Sequence, residues 1–217
     1  MFPIGDDHIK GSRTPFLNWI FIVLNVLGFV YELGLTEQEL AVFFTNYGVI
    51  PVEILQGQNL LSLFTSMFLH GGWMHLIGNM LFLWVFGDNI EHEFGHLKYL
   101  LFYLAGGLAA SAAHIYFNME SVVPSIGASG AISAVLGAYL VLHPKNKVRV
   151  LVFLGFFITT WRVNAFFFLG IWIVQQVISG VASISIDTAQ TSGVAWWAHI
   201  GGFVFGVAGG FFRRLIR

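Results

Sequence analysis

The sequence contains no cysteine and few charged residues. Of its 217 residues, 10% are Asp, Glu, Lys or Arg and 57% are hydrophobic, whereas about 25% are charged in a typical soluble domain. The absence of cysteine excludes disulfide bonds, thiolate metal sites and a thiol nucleophile. Ten basic and eleven acidic residues nearly cancel, so nucleic acid is not an expected partner. The composition favours a single membrane-embedded domain over residues 1–217.

Six apolar segments are candidates for membrane crossings. A hydrocarbon core about 30 Å thick requires about 20 apolar residues for each helical span. Five segments reach or approach this length, and a sixth is shorter and rich in Gly, Ala and Ser, as in a helix packed inside a bundle. The predicted spans are 16–35, 73–89, 97–117, 127–142, 163–181 and 194–212. Two further apolar runs, 60–69 and 150–160, have the length of re-entrant or interfacial segments and are not counted. The predicted fold class is an all-α membrane protein, a bundle of six transmembrane helices.

The basic residues indicate how this bundle is oriented. All ten lie before span one, between spans two and three, between spans four and five, or after span six. Because Lys and Arg collect in cytoplasmic loops, both termini are expected in the cytoplasm. No cleavable signal peptide is expected. The first loop, 36–72, is long and apolar enough to associate with the membrane. The expected location is a prokaryotic plasma membrane.

Four polar residues are predicted to lie at similar depth in the bundle. His75 and Asn79 are in span two, Ser129 is in span four and His199 is in span six, and all three spans begin on the predicted outer side. At 1.5 Å per residue, the four side chains fall within roughly 10 Å of depth. Polar groups inside spans are costly and therefore candidates for function.

Ser129 and His199 have the chemistry of a nucleophile and its base. Ser129 begins a predicted helix, where backbone N–H groups favour negative charge, and a serine hydroxyl needs a base for activation. His199 is followed by Gly202, Gly206 and Gly210, which form a flat face that a neighbouring helix can approach closely. No Asp or Glu lies deep in a span to orient the imidazole, so the predicted catalyst is a dyad.

His75 and Asn79 are four residues apart and share one helix face. Their N–H groups are candidate donors to a developing oxyanion.

At these motifs the sequence resembles the rhomboid family of intramembrane serine proteases. The motifs are His75-x-x-x-Asn79, Gly127-Ala128-Ser129-Gly130 and Ala198-His199-x-Gly201-Gly202. The resemblance implies that Ser129 is the nucleophile, that His199 is the general base, and that His75, Asn79 and the Ser129 N–H form the oxyanion hole. It also implies a substrate that is itself a transmembrane helix, cut near the outer face at a small residue, and no cofactor.

Two positions differ from many rhomboids. The chain has Leu61-Ser62 where a Trp-Arg pair is common in the first loop. It has Ser133 where an aromatic ring commonly stacks on the catalytic histidine. These differences bear on how the loop is anchored and how His199 is oriented. In the family, Glu91 would be a structural residue at the end of span two.

Other interpretations use other motifs. His92-Glu93-Phe94-Gly95-His96 matches the His-Glu-x-x-His pattern of zinc metalloproteases, although the nearby loops offer no obvious third ligand. A non-catalytic membrane-protein binder on the same fold is a second alternative. Ser192 and Gly193 precede span six in a loop that could cap the site. The expected partners are transmembrane substrates and the lipid bilayer, and the sequence does not indicate an oligomeric state.

Overall fold

The computed structural model describes residues 2–7, 14–154, 157–185 and 194–216. Within these ranges the chain is mostly helical. The helices are α1 (Phe16–Glu32), α2 (Glu37–Tyr47), α3 (Pro51–Leu55), α4 (Ser62–Thr65), α5 (Trp73–Phe94), α6 (His96–Phe117), α7 (Ser129–Leu142), α8 (Ala165–Ser185) and α9 (Trp196–Leu215), with a 3₁₀ turn at Ser66–Phe68. The strands are β1 (Phe2–Gly5), β2 (Lys147–Leu154) and β3 (Phe157–Asn164).

Each of the six predicted spans coincides with one helix, namely α1, α5, α6, α7, α8 and α9. Two helices, His96–Phe117 and Ala165–Ile184, are long and apolar enough to cross a membrane by length and composition, while α1 and α7 are apolar but shorter. The mostly helical membrane fold is therefore supported. The number of crossings and the cytoplasmic position of both termini stay predictions.

The expectation of an all-helical fold is wrong, because β1, β2 and β3 form an antiparallel sheet in that order. Val148, Val150 and Val152 are at most 5% exposed, whereas Lys147 and Arg149 are exposed. This alternation of β-branched and charged residues is the pattern of a strand. The run 150–160 thus contains the end of β2 and the start of β3, and the following helix begins at Ala165 rather than at residue 163.

Helix α7 lies at the centre of the bundle. It contacts α5, α6, α8 and α9, and residues 130–139 are all buried. Small side chains along this helix let its neighbours approach closely. The prediction that this short span packs inside the bundle is confirmed.

The closest approach is between α7 and α9. A Cβ atom at Gly202 would overlap the carbonyl oxygen of Gly130, and a Cβ atom at Gly206 would overlap the carbonyl oxygen of Ala134. Only glycine fits at such contacts, because any side chain would push the two backbones apart. The glycine face of α9 therefore packs on α7 as predicted, and this packing positions the start of α9 against the start of α7.

The first loop folds into α2, α3, α4 and the 3₁₀ turn, and it is tied to the loop before α7. Val49 and Ser125 exchange backbone hydrogen bonds of 2.9 and 2.8 Å. The N–H of Gly127 donates to the carbonyl of Ser66 over 2.8 Å. The first loop thus holds the segment that leads into Ser129.

Candidate active site

Ser129 is the first residue of α7, directly after a sharp bend. Gly127 has a φ of +126°, a conformation that residues with a side chain rarely adopt. A Cβ atom at Gly127 would lie 2.7 Å from Nε2 of His75. Only glycine suits this position, because of the backbone conformation and because a side chain would overlap His75. The imidazole of His75 can therefore lie beside the start of α7.

His199 lies in the first turn of α9, and its ring contacts Ser129. The distance between Nε2 of His199 and Oγ of Ser129 is 2.8 Å. This is hydrogen-bond distance for a nucleophile and its base. The structure therefore brings together the two residues that the sequence singled out, which are 70 positions apart.

The second ring nitrogen of His199 also has a partner, which the sequence analysis missed. Oε1 of Gln176, on α8, lies 2.7 Å from Nδ1 of His199. Gln176 is only 4% exposed. The expectation that nothing orients the imidazole is wrong, because only carboxylates were considered. The signal was an amide within an apolar span, where every polar side chain is a candidate for function.

Asn79 and His75 face the same site from α5. The amide Nδ2 of Asn79 lies 3.0 Å from Nε2 of His70, and the backbone N–H of Gly71 donates to Nδ1 of His75 over 3.4 Å. The rings of His70 and His75 are 5.0 Å apart, edge to face. The first of these contacts places the ring of His70, in the loop before α5, against the amide of Asn79.

Burial determines the charge of His70. This residue lies in the loop before α5 and is 1% exposed. Loss of solvent, with a smaller contribution from the neighbouring His75, lowers its pKa from the usual 6.5 to about 3. His70 is therefore neutral at neutral pH, so its Nε2 can accept a hydrogen bond from the amide of Asn79.

One cavity of about 690 Å³ connects these groups. His75, Asn79, Ser129 and His199 all line it. Its apolar wall comes from α5, α7 and α8 and consists of Phe82, Ile132, Leu136 and Trp172, among others. The arrangement places a hydroxyl, an imidazole and side-chain N–H groups beside an apolar surface.

The position that commonly carries an aromatic ring has a different role here. The hydroxyl of Ser133 donates to the carbonyl of Ser129 over 2.6 Å. Two rings lie near His199 from other directions, with the centroid of Trp172 at 6.0 Å and that of Trp196 at 6.3 Å. His199 is therefore held by α8 and α9 rather than by a ring on α7.

The first loop is anchored without an arginine at position 62. Ser62 is 1% exposed and is itself part of the buried interior. The hydroxyl of Thr65 donates to the carbonyl of Tyr47 over 2.8 Å, and the amide of Asn59 donates to the carbonyl of Asn46 over 3.0 Å. These bonds connect α4 and the segment before it to α2.

The His-Glu-x-x-His motif is divided between two helices. Helix α5 ends at Phe94, Gly95 has a φ of +76°, and His96 begins α6. Nδ1 of His96 lies 2.5 Å from a carboxylate oxygen of Glu91. The carboxylate of Glu93 lies 3.4 Å from His143 and 4.0 Å from Arg213. A zincin site needs both histidines on one helical turn, so this geometry disfavours the metalloprotease interpretation.

Glu91 has a structural role at this end of α5. Its two carboxylate oxygens accept hydrogen bonds from the backbone N–H groups of Leu17 and Asn18, over 2.9 and 2.7 Å. These N–H groups belong to the first turn of α1, which lacks intrahelical partners for them. Ser192 and Gly193, the proposed capping loop, lie outside the described residues.

The comparisons agree with this geometry. Residues 57–215 match the model of the Rhomboid domain. The chain is 33% identical over 204 residues to rhomboid protease GluP of Bacillus subtilis, covering 93% of this chain and 34% of that protein. It is 32% identical over 149 residues to RHOMBOID-like protein 1 of Arabidopsis thaliana, covering 69% of this chain and 33% of that protein. It is 34% identical over 97 residues to Rhomboid protein 1, mitochondrial, of Saccharomyces cerevisiae, covering 43% and 28%.

The chain spans about a third of the length of these relatives. They include a bacterial and a mitochondrial protein, so a prokaryotic plasma membrane stays a prediction. The motifs, their convergence and the match over most of the chain lead to one conclusion: the chain belongs to the rhomboid family of integral membrane proteins.

Proposed function

We propose that the protein is an intramembrane serine endopeptidase with Ser129 as nucleophile and His199 as general base. The observation that carries this proposal is the 2.8 Å contact between Oγ of Ser129 and Nε2 of His199. The relative from Bacillus subtilis is named a protease, which supports the same activity. Both residues are present here, whereas a non-catalytic member of the fold would not need them.

The reaction uses groups of the chain itself. As Oγ of Ser129 forms a bond to the substrate carbonyl carbon, its O–H bond breaks and the proton moves to Nε2 of His199. The carbonyl π electrons move to oxygen. Donors from Asn79, His75 and the start of α7 stabilise this oxyanion, a contribution of about 10²–10³ in rate for each good donor.

Collapse of this intermediate gives the acyl-enzyme. The C–N bond breaks, and His199 returns its proton to the leaving amine. A water molecule then loses a proton to His199 as it attacks the acyl carbon. The C–O bond to Ser129 breaks, Oγ recovers the proton, and a carboxylic acid product leaves.

The substrate we propose is a transmembrane helix that enters the cavity in extended form and is cut near the outer face at a small residue. The apolar wall formed by Phe82, Leu136 and Trp172 suits an apolar chain, while the donors beside it suit a peptide carbonyl. The lipid bilayer and transmembrane proteins are therefore the proposed partners.

The test is labelling with a fluorophosphonate, which reacts covalently with an activated serine. Detergent-purified wild type is compared with Ser129→Ala and with Ser179→Ala, a serine on α8 that does not line the cavity. Labelling that is lost only in Ser129→Ala supports the proposal. The same three proteins are then assayed in liposomes for cleavage of a model transmembrane helix.

A chelator separates the alternatives. Cleavage that survives Ser129→Ala and stops with a zinc chelator would establish the metalloprotease that uses His92, Glu93 and His96. A wild type that neither labels nor cleaves would favour the non-catalytic binder.

A further inference from the structure

Gln176 contacts His199 from α8, on the side of the ring away from Ser129. Its Oε1 lies 2.7 Å from Nδ1 of His199. Its Nε2 donates to the carbonyl of Trp172, one turn earlier on α8, over 3.4 Å. Because a backbone carbonyl can only accept, this second bond sets the amide so that its oxygen faces the imidazole.

The direction of the hydrogen bond selects one form of the ring. A neutral imidazole has one N–H and one lone pair, and the amide oxygen of Gln176 can only accept. The proton is therefore on Nδ1. The lone pair is on Nε2, which lies 2.8 Å from Oγ of Ser129, and this is the tautomer that can remove the serine proton.

We propose that Gln176 is a positioning residue that keeps His199 in its reactive tautomer and orientation, a role that rests on the function proposed above. When Nε2 takes up the proton, Nδ1–H continues to donate to Gln176, so the bond is kept through the step. An aspartate has this role in soluble serine proteases.

A neutral amide suits the position better than a carboxylate. Gln176 is 4% exposed, and a buried charge inside a predicted span requires compensation that an amide does not. Ser133, on α7, has no ring that could stack on the imidazole, and its hydroxyl is bonded to the Ser129 carbonyl. The amide from α8 fills that role.

The chain supplies a matched control for the experiment. Gln175 is adjacent on α8 and is exposed, whereas Gln176 is buried. Gln176→Met keeps the length of the side chain and removes its acceptor. Gln175→Met makes the same chemical change away from His199.

The first readout is the tautomer of His199 and requires no activity. Protein with ¹⁵N-labelled histidine is studied in lipid by solid-state NMR, and the His199 signals are identified by their loss in His199→Gln. Wild type and Gln175→Met are expected to show a protonated Nδ1 and an unprotonated Nε2. Gln176→Met is expected to show a mixture of tautomers.

The second readout is the rate of fluorophosphonate labelling. Loss of a group that orients the base lowers the rate by up to about 10⁴ when that group is a carboxylate, and a neutral acceptor is expected to account for about 10–100-fold. Gln176→Met should therefore label about 10–100-fold more slowly, and Gln175→Met at the wild-type rate.

The two readouts separate the proposals. If His199 keeps the wild-type tautomer in Gln176→Met, the positioning role is overturned. This holds if Gln176→Met labels at the wild-type rate, and also if Gln176→Met and Gln175→Met label equally slowly. A wild type that does not label, but whose tautomer depends on Gln176, overturns the proposed function and leaves the positioning role standing.

Discussion

The two ends of helix α5 use polar side chains for different purposes. At its start, His75 and Asn79 line the cavity beside Ser129. At its end, Glu91 binds backbone N–H groups of α1, and Glu93 contacts Arg213 and His143. This helix of 22 residues therefore has polar side chains that line a cavity at its start and polar side chains that bind neighbouring segments at its end. Only the first kind is available to a substrate.

The largest expected effect distinguishes His199, which lines the cavity beside the start of α5, from His96, which follows the end of α5. His199→Ala removes the base from Ser129 and should lower labelling and cleavage by more than about 10³-fold. His96→Ala removes a contact of Glu91 and should leave the specific activity within about threefold of wild type. Both variants are assayed at equal amounts of folded protein. A loss of similar size in His96→Ala would contradict the division of roles.

Two asparagines on α5 give a sharper comparison, because the residue type and the helix are the same and only the position along the helix differs. Asn79 lines the cavity, whereas the Nδ2 of Asn89 donates to a carboxylate oxygen of Asp6 over 2.6 Å. Asn79→Ala should lower the rate of cleavage by about 10²–10³-fold, because an oxyanion donor is lost. Asn89→Ala should instead lower the free energy of unfolding by about 1–3 kcal/mol.

The measurement for this pair is kcat for a model transmembrane substrate together with thermal unfolding in detergent. A crossed result is expected, in which one variant loses rate and the other loses stability. If Asn79→Ala loses only stability, the amide belongs to the packing of the bundle and not to the site.

Much of the site could be predicted from the sequence, because its residues follow local rules. The i, i+4 spacing places His75 and Asn79 on one helix face, and the glycines after His199 indicate close packing of α9. Gln176 was missed because only carboxylates were considered as partners for the imidazole of His199. Which face of α8 meets α9 depends on packing that a single sequence does not determine.

The fold shows the same limit. The six helices were predicted by their apolar length, but residues 147–164 were not predicted as a hairpin. The alternation that forms β2 is short. β2 pairs with the adjacent β3 on one side and, on the other, with β1 from the other end of the chain. Strand pairing across such a separation leaves little signal in either segment by itself.

A smaller effect is expected from the carboxylate at the end of α5. Glu91→Gln keeps the shape of the side chain, but its one amide oxygen can accept from only one of the backbone N–H groups of Leu17 and Asn18, and its NH2 group faces the other. The free energy of unfolding should fall by about 2 kcal/mol, with the specific activity unchanged. Glu37→Gln, at an exposed position of α2, is the matched control and should change neither quantity. Equal effects of the two substitutions would show that Glu91 does not cap α1.

The smallest expected effect is a loss of stability in acid that is caused by His70, in the loop before α5. The pKa of His70 is about 3 in the folded protein, chiefly because the ring is buried, and about 6.5 when the chain is unfolded. Between these two pH values the unfolded state binds a proton at His70 and the folded state does not. The free energy of unfolding that depends on neutral His70 is therefore fully present above pH 6.5 and is lost as the pH falls. Between pH 7 and pH 5.5 this corresponds to about 1 kcal/mol.

His70→Gln isolates this contribution to acid sensitivity. Glutamine keeps an oxygen that can accept from Asn79 and does not titrate in this range. The neighbouring groups, His75 and the Glu32 carboxylate that accepts from the backbone N–H of His70, are the same in both proteins and cancel in the difference. Thermal unfolding between pH 7 and pH 5.5 should therefore show a smaller loss for His70→Gln than for wild type. Parallel pH profiles would mean that His70 does not stay neutral in the folded protein, and that its support of Asn79 depends on a different hydrogen bond.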